Sequence, residues 1–126
     1  MGRFWLGVFI LAALLGLGLW VEHTTNFTHQ TISKSLDLAA KQVLAGDTEG
    51  GLATAQAARR RWHRKWNATA AIADHAPMDE IDGLFAQLEI YGQLRTPTEL
   101  AAVCARLAAL VSAVGEAHQL TWWNLL

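Results

Sequence analysis

Histidines and carboxylates are the first residues here whose chemistry invites a question. His63, His75 and His118, with Asp74 and Glu80, are of the types that ligate a metal, because imidazole and carboxylate are ordinary ligands. Their spacing does not match that use, since neither HxxxH nor HExxH occurs. His118 falls in the last turn of an expected helix, where a cation complements the dipole, and His75 stands beside a helix start. Asp79, Glu80 and Asp82 fan around a helix, so an acid and base pair would need a remote partner. Cys104, the single cysteine, lies within an apolar stripe and reads as a small core residue rather than a nucleophile. No GxSxG and no glycine-rich phosphate loop occurs. The sequence therefore points away from an enzyme and asks for no metal or cofactor.

A basic cluster is the remaining chemical feature. Arg59, Arg60, Arg61, Arg64 and Lys65 are interleaved with Trp62 and Trp66, a composition suited to anionic lipid headgroups or phosphate-bearing wall polymers. At 100° per residue Arg60 and Arg64 lie opposite Trp62, while Arg59 and Lys65 flank the apolar stripe and drape their stems over it. A purely internal role is the simpler reading. The basic face would then exchange weak surface ion pairs with Asp79, Asp82 and Glu89 of the next helix, and the tryptophans would fill the core. A net charge of −1 does not advertise nucleic acid.

What positions these residues is set near the start of the chain. Phe4 to Val21 contains no charged residue, and at about 1.5 Å per residue it spans roughly 27 Å, close to the hydrocarbon thickness of a bilayer. It reads as a transmembrane anchor, with Trp5 and Trp20 at the two headgroup levels. A cleaved signal peptide is the rival, disfavoured by the length of the run and by bulky Trp20 and Val21 at its end. Arg3 and the amino terminus favour a cytoplasmic leader over residues 1–3 and a bundle outside, although Lys34 and Lys41 lie within reach on the far side. Gly16 and Gly18 do not make a GxxxG dimer motif, and the oligomeric state stays open.

Residues 22–31 are polar and threonine-rich, either a juxtamembrane linker or a weak continuation of the anchor helix. From 32 to 119 the chain, rich in alanine and leucine, predicts a helical bundle. Ile32, Leu36, Ala39 and Val43 share one face, and the helix should stop at Ala45-Gly46. Asp47 or Thr48 caps a second helix with the stripe Leu52, Ala55, Ala58, Trp62, Trp66 and Ala70, its first turn weakened by Gly50 and Gly51. Pro77 marks a kink or a new start. A third helix follows with Ile81, Leu84, Phe85, Leu88 and Tyr91 together. Thr96-Pro97-Thr98-Glu99 supplies a capping box and a proline in the first turn of a fourth. Its stripe is Leu100, Val103, Cys104, Leu107, Leu110, Val111 and Val114, ending near His118. The short link between the last two helices predicts an antiparallel hairpin. Residues 120–126, with Trp122, Trp123, Leu125 and Leu126, are too apolar for a solvated tail; they fold back, dip into the membrane interface or meet a partner. The expected architecture is all-α, a single anchor followed by an antiparallel bundle of about four helices.

This order of features resembles a known family. A short leader and anchor come first, then a helix bearing Trp62 and Trp66, then Asp74-His75 leading into Glu80-Ile81-Asp82. The chain closes on Glu116-Ala117-His118-Gln119-Leu120-Thr121-Trp122-Trp123-Asn124-Leu125-Leu126. It is similar to the bacterial family called domain of unknown function 4363. Ala76-Pro77 and the paired tryptophans near the end depart from that pattern. The resemblance implies a small anchored helical protein of Gram-positive bacteria without assigned activity, and it brings no catalytic residues. The expected function is that of a membrane-anchored interaction protein, an accessory subunit of another cell-envelope membrane protein. The alternative is a binder of anionic lipid or wall polymer through Arg59 to Lys65.

Overall fold

A computed structural model describes the backbone of residues 1–69 and 76–125, and the side chains of these except at 22, 25, 26, 67–69, 76 and 118–125. Among the described residues the chain is all-helical: α1 Gly2–Leu44, α2 Thr48–Thr69, α3 Ala76–Leu94 and α4 Pro97–Leu125.

The anchor stretch and the first bundle helix are one element. α1 runs for 43 residues without a break, roughly 65 Å. The polar stretch between its halves is therefore helix rather than linker. Threonine is a mediocre helix former, but the apolar run before it and the packed run after it hold both ends, so only propagation is asked of it. Its hydroxyls are satisfied locally, with Thr24, Thr28 and Thr31 each donating at 2.8 Å to the carbonyl four residues earlier.

α1 ends where the sequence expects, and the geometry shows why. Gly46 takes φ 95°, the left-handed region open to glycine. This lets Gly46 N–H reach Val43 O at 3.1 Å and Asp47 N–H reach Gln42 O at 2.9 Å, the paired bonds of a Schellman ending. Asp47 then caps α2, its Oδ1 accepting from Gly50 N–H at 2.9 Å.

The helices pack in the cyclic order α2, α1, α4, α3, and the closest associations are α1 with α4 and α1 with α2. Partner numbers fall along one helix as they rise along the next. Ser33 donates to Ala108 O at 2.8 Å while His29 lies against Gly115, so α1 and α4 are antiparallel. Thr54 donates to Gln42 at 2.7 Å and Trp62 meets His29, which sets α2 antiparallel to α1. Arg106 pairs with Glu80 across the α3–α4 hairpin. α2 and α3 close the ring through Leu52 against Gly92, His63 beside Phe85 and Arg59 with Glu89.

The buried core is the set of stripes read from the sequence, with additions. Ile32, Leu36, Phe85, Leu88, Leu107 and Val111 are fully enclosed. Burying side chains of this size stabilises by about 1.5–3 kcal/mol each. Leu52, Trp66, Tyr91, Leu110 and Val114 pack half-buried around them. Met78 joins the core from the first described turn of α3, beside Pro77; whether Pro77 marks a kink or a new start lies with residues 70–75, outside the described residues. Packing reaches back to His29, one turn before the expected start of the bundle.

α4 begins at Pro97 as expected. The hydroxyl of Thr96 is turned toward Tyr91 O at 3.4 Å, and Arg95 adopts φ 53° to make the tight corner. The backbone of α4 continues past His118 to Leu125, longer than the sequence suggests.

Candidate functional site

Two surfaces stand out: the bare half of α1 and the basic side of α2. Gly2–Val21 is long and apolar enough to cross a membrane, and none of it is buried in the fold. Phe4, Trp5, Phe9, Leu19 and Trp20 all point outward. Nothing in the bundle covers them, so this half of α1 is held only by its own backbone bonds. A second stretch, Pro97–Ala117, has comparable length and apolarity, but nearly half of it is buried. Leu100, Cys104, Leu107 and Val111 spend that apolar face on the bundle core.

The basic cluster of α2 divides into two sets. Arg59 faces α3, donating from its guanidinium to Glu89 at 2.8 Å and toward His63 Nε2 at 3.4 Å. Lys65 faces α1, where its Nζ lies 2.9 Å from His29 Nδ1. Burial lowers the Lys65 ammonium from 10.5 to about 8, because the charged form loses water. Arg60, Arg61 and Arg64 are exposed and, among the described residues, form no ion pair.

His29 lies outside the apolar stripes read from the sequence, yet it is a core residue. It is buried, its imidazole meets Trp62 edge-on with ring centroids 5.9 Å apart, and Gly115 leaves room for it. A Cβ on Gly115 would stand 3.0 Å from His29 Cβ. The signal that could have found His29 is its place one turn before Ile32 and two before Leu36 on the buried face. Trp62 itself is enclosed, and its Nε1 has no hydrogen-bond partner; neither has the buried Asp82 Oδ1.

No family model, curated protein or solved structure matches this chain.

The other sequence candidates are placed as follows. Cys104 is a free thiol at the centre of the core, and burial raises it to about 11, away from the thiolate. Glu80 is drawn to Arg106 at 3.0 Å, and His63 is packed between α2 and α3. Among the described residues no three of His, Cys, Asp and Glu gather at one point. Asp74 and His75 lie outside the described residues, as do the side chains of His118, Trp122, Trp123 and Leu125 and the whole of Leu126. A shallow groove between α1 and α4 is lined by Ser33, Lys34, Asp37, Ala105, Ala109 and Ser112, too open to enclose a small molecule.

Proposed function

We propose that this chain is a single-pass, membrane-anchored interaction protein, a non-catalytic accessory subunit of another cell-envelope membrane protein. The observation that carries this reading is the wholly exposed apolar half of α1, joined without a break to a helix of the packed bundle. An apolar surface of that length is stable in hydrocarbon and unfavourable in water. Trp5 and Trp20, outward-facing near its two ends, suit the two headgroup levels. The amino terminus is assigned to the cytoplasm and the bundle to the extracytoplasmic side. At the far end of the bundle Leu44 and Leu94 are exposed, apolar contacts available to a partner.

Alkaline extraction of membranes carrying the full-length chain tests the anchor. The chain should stay in the pellet, and its recovery as a soluble species with the leader intact would overturn the reading. Crosslinking in native membranes followed by mass spectrometry tests the subunit role, which predicts one membrane protein recovered at stoichiometric yield.

A further inference from the structure

We infer that Arg60, Arg61 and Arg64 form a headgroup-binding face that holds the α2 side of the bundle against the anionic phospholipids of the leaflet through which α1 emerges. This rests on the anchored reading of α1. Contacts of Gly51 with Val43, and of Trp62 and Lys65 with His29, run α2 back toward the apolar half of α1. They set Arg64 level with the region of Gln30 and Arg60 with that of Lys34. At 1.5 Å per residue, Arg64 then stands roughly 13 Å and Arg60 roughly 20 Å beyond Val21. The headgroup layer takes up about 5–7 Å of that distance. Arg64 is thus within side-chain reach of phosphate, while the backbones of Arg61 and Arg60 stand about 11–15 Å from the layer, so that only an extended side chain brings their charge to about one Debye length, roughly 8 Å.

The same end of the bundle carries the opposite sign on its other side. Asp79 in the first turn of α3 and Glu116 on α4 are exposed there, while the charge of Glu80 is balanced by Arg106. An anionic surface therefore attracts one side and repels the other, so the bundle settles with α2 down. The remaining basic residues of the cluster cannot share this task. Arg59 is bound to Glu89 and Lys65 is turned to His29.

The test uses the full-length chain in nanodiscs of phosphatidylcholine with and without phosphatidylglycerol, released into native mass spectrometry to count retained lipids. The wild type should retain phosphatidylglycerol in preference to phosphatidylcholine, and R60Q/R61Q/R64Q should lose that preference, with about fivefold of the loss from Arg64 and a smaller share from Arg60 and Arg61. All three side chains are exposed, and unchanged helicity checks that the variant is folded. As a measurement free of variants, the wild-type preference should fade as salt rises. Equal phosphatidylglycerol retention by the triple variant, or a preference insensitive to salt, overturns the inference. Failure of the anchor is a different result, since the chain would not enter the discs at all.

Discussion

Lys65 Nζ on α2 lies 2.9 Å from Nδ1 of His29 on α1, and the same imidazole meets Trp62 edge-on. Two ionisable side chains thus share the end of an otherwise apolar core. The contact joins α1 and α2 at the opposite end from their connecting turn, and so fixes how closely the two helices lie over their shared length.

The Lys65 ammonium, lowered by burial to about 8 from 10.5, makes stability depend on pH. Above about pH 8 the folded chain has released a proton that the unfolded chain still holds, so stability rises between pH 8 and 10.5 and is lower below that window. Denaturant midpoints of wild type and Lys65→Met, compared across the window, should show the rise in the first and a flatter profile in the second. Parallel profiles would count against this placement of Lys65.

Glycines of the same helical context should respond in opposite directions to alanine. At Gly51 a Cβ would stand 2.8 Å from Ala39 O and press on Val43, so Gly51→Ala should destabilise by about 1–3 kcal/mol. Gly83 faces open space in the middle of α3, and Gly83→Ala should stabilise by about 0.5–1 kcal/mol. Thermal melts of the two variants check the contrast in sign.

Arg95 holds φ 53° at the corner between α3 and α4, a conformation that costs a residue bearing a Cβ. Arg95→Gly should raise stability by roughly 0.5–1 kcal/mol through relief of that strain. A lowered midpoint would show that the arginine side chain contributes more than its backbone costs.

Trp62 Nε1 is enclosed without a partner, so its N–H contributes nothing that phenylalanine lacks. Trp62→Phe should be tolerated far better than Trp62→Ala, which opens a cavity between α1 and α2 and should cost about 3–5 kcal/mol. Equilibrium unfolding of the two variants separates ring packing from the polar atom.

The stripes of all four helices were legible because a 3.6-residue period turns core-facing positions into a visible rhythm, as Ile32, Leu36, Ala39 and Val43 show. Arg60 and Arg64 were legible as outward-facing for the same reason. Quantities set between helices were not. Gly51 reads as a weak first turn, yet it is required because α2 crosses α1 closely there. His29 sits in a polar run; its spacing to Ile32 and Leu36 puts it on the buried face, but the room for its ring is set by Gly115 and Trp62 on two other helices, which no local window contains. Exchange between the basic and acidic helices was foreseeable; that Glu89, rather than Asp79 or Asp82, receives Arg59 depends on the register of α2 on α3.

The uninterrupted course of α1 has a mechanical consequence. If the apolar half of α1 is embedded as proposed, then with no break in the helix between Trp20 and Ile32 a lean of that half is passed whole to the other, which extends about 35 Å past Val21. A change in bilayer thickness that inclines the helix by roughly 10° swings its far tip sideways by about 6 Å, enough to bring Leu44 into or out of register with a neighbour. On the anchored reading proposed above, α1 would then act as a stiff lever, with one arm in the lipid and the longer arm outside it.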